Sequence, residues 1–139
     1  MTVVDASVAV KWLLPEEGAH AAALLLASGD GLMAPALIRV EVAAAIARKV
    51  RLKEIEALDG EAALALWLQS IADGVIMLVP DGVDLQRAWN IATTVNHPLQ
   101  DCLYLALAER IGASLVTADD KFVAKARGKH VGVRWLGQI

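Results

Sequence analysis

Four carboxylates in this 139-residue chain stand where solubility alone does not explain an acid: Asp5, Glu41, Asp101 and Asp119. Asp5 ends the apolar run Thr2-Val3-Val4, and Asp119 follows shortly after Ser114-Leu115-Val116-Thr117. Glu41 lies among Leu37, Ile38, Val40, Val42 and alanines, and Asp101 precedes an unbroken apolar run from Cys102 to Ala108. A carboxylate on an apolar face loses much of its hydration and needs a partner, yet Asp101 has no neighbouring lysine or arginine. Acids gathered without cations repel one another, and some take up protons unless metal ions compensate. Clustered oxygen ligands suit Mg²⁺ or Mn²⁺, which keep positions open for water and phosphate. Two such ions would neutralise the site, activate a water and steady both oxygens of an in-line phosphodiester displacement.

The elements that must position these acids can be read from the hydrophobic pattern. Residues 97–120 read as helix, turn and strand. His97 is placed to cap the helix, Pro98 to open it, and Gln100 to reach back from the third position. The helix is apolar almost all round and belongs in an interior, with Glu109 and Arg110 at its wet end and Gly112 as a left-handed stop. Asp101 shares a face with Tyr104, Leu105 and Ala108. Elsewhere the pattern predicts strands at 2–5, 32–34, 75–79 and 131–136, with 75–79 the clearest buried strand. Helices are expected at 6–14, 19–28, 36–50 (opened by Pro35), 54–72, 81–95 and 120–127. Strands alternating with helices favour a parallel sheet covered on both faces. In such sheets ligands gather outside the carboxyl ends of the strands. Asp5 and Asp119 lie at that edge, and Glu41 and Asp101 lie in helices that start from it, so all four acids are expected in one crevice.

Composition sets the frame. The length predicts one domain spanning residues 1–139. Hydrophobic content of 57% and a mean hydropathy of +0.50 come largely from alanine. The longest charge-free run, 88–100, contains Asn90, Thr93, Thr94, Asn96, His97 and Gln100, so no stretch approaches the ~20 apolar residues of a membrane span. No basic segment precedes an apolar one at the N-terminus, because Asp5 comes too early; a cytoplasmic location with no membrane association is the expectation. Cys102, the sole cysteine, excludes an internal disulfide and a cysteine-built zinc site, and reads as a small buried hydrophobe.

A net charge of −3 argues against a general polyanion binder. Without the four acids, twelve acidic residues would face thirteen basic ones, so the net acidity is of the size a metal site accounts for. Arg48, Lys49, Arg51 and Lys53 follow Glu41, and Lys121, Lys125, Arg127 and Lys129 follow Asp119. Such patches could hold a phosphate backbone beside the metals.

Each acid also has a plainer role open to it. Asp5 and Asp119 could cap the helices that follow them, with Ser7 as an alternative cap and Asp120 as a first-turn acid. Asp101 could be favoured by its helix dipole, and Glu41 could pair with Arg48 or Lys49. The joint placement of all four weighs against these roles as the whole account. His20, His97 and His130 are dispersed and read as structural or surface residues. Trp12, Trp67, Trp89 and Trp135 read as core packing, with a partner-binding groove as the alternative for Trp12 and Trp67.

Four segments carry a family resemblance, in order and across essentially the whole chain: Val-Val-Asp-Ala-Ser-Val around Asp5, Val-Glu-Val-Ala around Glu41, Leu-Gln-Asp-Cys-Leu-Tyr-Leu-Ala-Leu-Ala around Asp101, and Leu-Val-Thr-Ala-Asp ending at Asp119. Together they resemble the PIN-domain family, and within it the VapC toxins of toxin–antitoxin pairs. The resemblance implies a three-layer α/β/α sandwich on a mainly parallel sheet, usually homodimeric. It implies that Asp5, Glu41, Asp101 and Asp119 are the catalytic, metal-binding set of a Mg²⁺- or Mn²⁺-dependent endoribonuclease that hydrolyses RNA through metal-activated water. Ser7 and Thr117 match positions of supporting hydroxyls. The implied partner is a VapB-type antitoxin, which joins the toxin to a DNA-binding module and lays an extended arm over the active-site groove. Gln100, Ala44 and Asp120 depart from the commoner residues at their positions; Asp120 could join the metal site or serve as a cap. Two other classes are weighed. A haloacid-dehalogenase-type phosphatase would want a second Asp two residues after Asp5, where Ser7 stands. A catalytically silent PIN-like scaffold could readily have lost one of the four acids, and all are present.

Overall fold

One or two α-helices separate each strand from the next, and the computed structural model describes all residues from 1 to 139. In chain order they are β1 (Thr2–Val4), α1 (Ala6–Leu13), α2 (Ala19–Ala27), β2 (Leu32–Pro35), α3 (Ile38–Arg51), α4 (Ala57–Ala72), β3 (Met77–Val79), α5 (Leu85–Val95), α6 (Leu99–Ile111), β4 (Ser114–Thr117), α7 (Asp120–Ala126) and β5 (Val133–Trp135). Single 3₁₀ turns occupy Asp81–Asp84 and Leu136–Gln138.

The five strands form one sheet in the order β3-β2-β1-β4-β5, every pair parallel. Val3 stands opposite Met33 on one side and Leu115 on the other. The chain moves outward from β1 through β2 to β3, then returns to place β4 on the opposite side of β1. The carboxyl ends of β1 and β4 therefore flank the point where the strand order reverses, which is where an open α/β sheet leaves a crevice. Helix α6 lies against β1, β2 and β4, with α5 packed behind it. Helix α1 lies against β4 and gathers α2, α3 and α4 around it. The sheet is thus held between two helical layers, the expected three-layer sandwich.

Helix α6 fits its sequence closely. All residues from Cys102 to Ala108 are buried, and Gly112 ends the helix with a φ of 68°. Burial also pushes the Cys102 thiol up to about 11, away from reactivity. Close approach of α3 and α4 depends on Gly60, where a Cβ would stand 2.4 Å from Val50 Cγ2. No helix is long and apolar enough to cross a membrane.

Four expectations need correction. The run 75–79 holds one of the two edge strands rather than the best-buried one: β3 pairs only with β2, and Met77 is 56% exposed. An apolar run cannot by itself tell a central strand from an edge. Pro35 closes β2 opposite Val79 instead of opening a helix. Proline holds its predecessor extended and tolerates a strand end; α3 begins only at Ile38, after Leu37 N–H donates to Asp81 Oδ1 at 2.9 Å. Pro98 occupies the cap of α6, so His97 lies outside the helix and its ring does not cap it. Trp67 is fully buried with its indole N–H on Arg39 O at 3.2 Å, and Trp12 donates to Ala22 O at 2.8 Å. Trp67 is therefore core, as expected, and lines no groove, whereas Trp89 and Trp135, 55% and 38% exposed, are not core.

Candidate active site

Asp5 leaves the end of β1 and caps α1, its Oδ1 accepting Val8 N–H at 3.3 Å. The same oxygen accepts the Ser7 hydroxyl at 2.5 Å. Ser7 Oγ in turn accepts Ala118 N–H at 2.9 Å and lies 3.4 Å from Thr117 Oγ1. Thr117 is fully buried, and its hydroxyl accepts Asp119 N–H at 3.0 Å. Two hydroxyls thus tie the ends of β1 and β4 together and fix the directions in which the two strand-end acids leave the sheet.

Asp119 caps α7 with one oxygen: Oδ1 accepts Phe122 N–H at 3.1 Å. Its Oδ2 faces the start of α6, 3.8 Å from His97 Nε2. Asp101, in the first turn of α6, presents Oδ2 to the same nitrogen at 2.7 Å. His97, Asp101 and Asp119 each offer one ligand atom within 4.8 Å of the others. One turn further along α6, the buried Tyr104 donates its hydroxyl to Glu41 Oε1 at 2.5 Å, joining the first turn of α3 to the group. The plainer capping roles of Asp5 and Asp119 are therefore real, but each uses one carboxylate oxygen. The pairing of Glu41 with Arg48 or Lys49 does not form; Lys49 instead forms ion pairs with Glu16 at 3.0 Å and Glu54 at 3.6 Å.

The electrostatics converge on Asp101. Burial pushes Asp5 up to about 6, against the pull of the Ser7, Thr117 and Val8 hydrogen bonds, and the Asp101 charge adds to the rise. Burial likewise raises Glu41, eased by Tyr104 and reinforced by Asp101 and Asp81. It also raises Asp101, eased by His97 and reinforced by Asp119. Burial and the neighbouring Glu41 hold the Tyr104 hydroxyl protonated far above the usual range, so it serves as a fixed donor. No lysine or arginine pairs with any of the four acids. A half-buried, oxygen-rich set whose members raise one another's proton affinity fits a hard divalent cation, which would supply the missing positive charge.

The basic patches are not where their sequence position placed them. Arg51 stands ten residues beyond Glu41, about 15 Å along α3. Arg127 is held by Gln138 at 2.8 Å. Lys125 does reach the acids' neighbourhood, bonding Asn96 O at 2.9 Å and contacting His97 Nδ1 at 3.3 Å. Asp120 is exposed and lines a separate cavity of about 500 Å³ with Lys11, Glu17 and Trp135. It stands outside the grouping of His97, Asp101 and Asp119, as Asp5 and Glu41 also do, but those two are tied to it through Ser7–Thr117 and through Tyr104, and Asp120 is not.

Sequence reasoning missed His97 and the reach of Tyr104. Both carried a signal: Tyr104 lies one helical turn after Asp101, and His97 four residues before it, just outside the helix. His130, read as structural, bonds Glu109, and His20 is exposed.

The PIN-domain family profile matches residues 2–128. Ribonuclease VapC9 of Mycobacterium tuberculosis is 33% identical over 119 residues, 86% of this chain and 86% of that protein. Ribonuclease VapC12 of the same species is 32% identical over 133 residues, 96% of this chain and 97% of that one. Among solved structures, PAE2754 from Pyrobaculum aerophilum aligns with a TM-score of 0.73 at 23% identity, over 99% of this chain and 90% of its own. Mycobacterium tuberculosis VapC20, described as a toxin that cleaves the sarcin–ricin loop, aligns with a TM-score of 0.65 at 19% identity, over 91% and 95%. At those identities the two structures speak for the fold.

Proposed function

The chain belongs to the PIN-domain family, and from that premise we propose that it is a VapC-type toxin endoribonuclease whose Asp5, Glu41, Asp101 and Asp119 hold one or two Mg²⁺ or Mn²⁺ ions. The observation that carries this reading is the convergence of four acids at the strand-order reversal, three with raised proton affinity and none paired with a lysine or arginine. RNA as substrate is supported by the relatives named as ribonucleases. When bound, the divalent ion supplies activation of water and neutralisation of the phosphodiester.

The chain's own groups do the rest. Ser7 and Thr117 hold the strand-end acids on a rigid edge. Tyr104 aims one oxygen of Glu41 and spares it an unsatisfied buried lone pair. An ion would have to displace the protons that burial favours on Asp5, Glu41 and Asp101, so its binding should strengthen as pH rises, for Asp5 through about 6. No side-chain nucleophile is required. The same reading makes a VapB-type antitoxin the partner that covers the site, with a homodimer as the assembly and the cytoplasm as the location.

Purified protein, stripped of any bound peptide, should cut a structured RNA with Mg²⁺ or Mn²⁺ and not with EDTA. Asp5→Ala and Asp101→Ala should each lower the rate by roughly 10³-fold or more, as loss of a metal-dependent site implies, while circular dichroism stays that of a folded chain. Undiminished cleavage by Asp101→Ala in the presence of metal would sink the assignment.

A further inference from the structure

An imidazole nitrogen set between two carboxylates is either a metal donor or a hydrogen-bond donor, and the contacts of His97 decide which. Its Nδ1 lies 3.3 Å from Lys125 Nζ, which also bonds Asn96 O at 2.9 Å. An ammonium has three N–H groups and no lone pair. Nδ1 must therefore present its own lone pair, and the single proton of the neutral ring sits on Nε2. That proton points at Asp101 Oδ2, 2.7 Å away, with Asp119 Oδ2 at 3.8 Å. Both ring nitrogens are committed, and neither keeps a lone pair for a metal.

The ring is well placed to act as a fixed strut. Its side chain is 7% exposed, its ring packs on Phe122 at a 45° tilt with centroids 4.6 Å apart, and its backbone N–H bonds Ala92 O at 3.2 Å. Asn96 ends α5 in the left-handed region with a φ of 54°, which turns the chain between α5 and α6 and brings its carbonyl to Lys125.

We propose that His97 is a positioning residue whose Nε2–H holds one oxygen of Asp101 and leaves the other free for the divalent ion, and that Lys125, donating to Nδ1, anchors the ring from behind. The relay runs Lys125 to His97 to Asp101, with α7 steering the first turn of α6. It rests on the divalent-ion reading of the acids. Groups that orient a metal ligand from behind, through its other hydrogen bond, commonly change metal affinity by about 10–100-fold.

The direct test is long-range proton–nitrogen correlation on ¹⁵N-labelled protein at neutral pH. Nδ1 of His97 should resonate as an unprotonated acceptor and Nε2 as an N–H, and the Nε2 proton should persist when Mg²⁺ saturates the site. A proton on Nδ1, or loss of the Nε2 proton on adding Mg²⁺, would overturn the proposal, the latter by making His97 a ligand. Lys125→Met should keep the Nε2 proton, which Asp101 still accepts, and shift the Nδ1 resonance as its donor is lost; an unmoved Nδ1 resonance would overturn the role given to Lys125. By calorimetry with Mn²⁺ alone, His97→Ala should bind roughly tenfold more weakly, and His97→Gln, whose amide N–H can reach Asp101, should recover most of the loss. The Asp101→Ala protein separates the two levels of inference. If it binds Mn²⁺ as tightly as the wild type, the ion site itself is wrong. If it binds none while His97→Ala matches the wild type, only the positioning role fails.

Discussion

The two ends of α6 use the same kinds of residue for opposite purposes. At its start, Asp101 meets His97, and at its end Glu109 meets His130. Each end thus pairs an acid with a histidine. The difference lies in the cations. At the far end Glu109 also accepts Arg87 Nη2 at 2.9 Å, and Arg110 grips the buried Asp84 through two bonds of 2.7 and 3.0 Å. Two acids there face two arginines. At the near end Asp101 is joined by Asp119, Glu41 and Asp5, and no arginine or lysine pairs with any of them. Both arrangements suit the helix dipole, which favours an acid in the first turn and a base in the last. What distinguishes a site from a structural clasp here is uncompensated charge, and an acid–histidine contact does not.

That contrast can be sharpened by titrating the near end while the far end stays intact. Asp5 has its folded-state pKa raised from 3.8 to about 6, so between those values the folded chain binds more protons than the unfolded one. Stability then falls as pH rises through that window, because its slope follows the protons bound unfolded minus those bound folded. At about 1.4 kcal/mol per unit, Asp5 alone accounts for up to roughly 3 kcal/mol, and the raised Glu41 and Asp101 act in the same direction. Urea denaturation without metal should therefore show a decline in stability from about pH 4 to above about pH 6. Asp5→Asn should remove the larger part of it, and Mg²⁺ should restore the stability at the high-pH end by binding only the folded form. The same slope in Asp5→Asn as in the wild type would show that the near end carries no such strain.

The residues of this contrast were unequally visible in the sequence. Asp5 and Asp119 could be placed because each terminates an apolar run, and α6 could be placed because its apolar run leaves no face for solvent. Those features are local, and the parallel α/β order brings the strand ends together without further information. His97 was set aside because its contacts come from α7 and from α6, and the Lys125 contact spans 28 residues. Spacing in sequence cannot show it, although the four-residue step to Asp101 hinted at half of it. The basic residues after Glu41 misled for the opposite reason. Nearness in sequence became distance in space once α3 ran its full length away from the sheet edge. The edge position of β3 and the strand-ending role of Pro35 depend on which strands pair, and that is a property of the whole chain.

Breaking the far end should cost stability and leave the chemistry alone. Asp84 is 5% exposed, and both its oxygens are bound by Arg110. Truncating it removes charge-assisted bonds and leaves a small void at the entry to α5, for which about 2 kcal/mol is the expected loss. Asp84→Ala should lower the denaturation midpoint accordingly, while cleavage per folded molecule and Mn²⁺ affinity match the wild type. A loss of metal binding in this variant would mean that the two ends of α6 are coupled, and the contrast between them would fail.

The mildest break is Arg87→Ala. Its bond to Glu109 joins α5 to α6 across the surface, with the arginine side chain 52% exposed. Glu109 keeps His130 when Arg87 is removed, so no carboxylate is stranded. An exposed pair of this kind contributes roughly 0–1 kcal/mol, and salt screens it. Arg87→Ala should shift stability by less than about 0.5 kcal/mol, and the shift should shrink further at high ionic strength. A loss of 2 kcal/mol or more that persists in high salt would contradict the view that the far end is held by redundant, compensated contacts. Such a result would place this arginine among the groups that fix α6 in register, and through α6 the placement of Asp101.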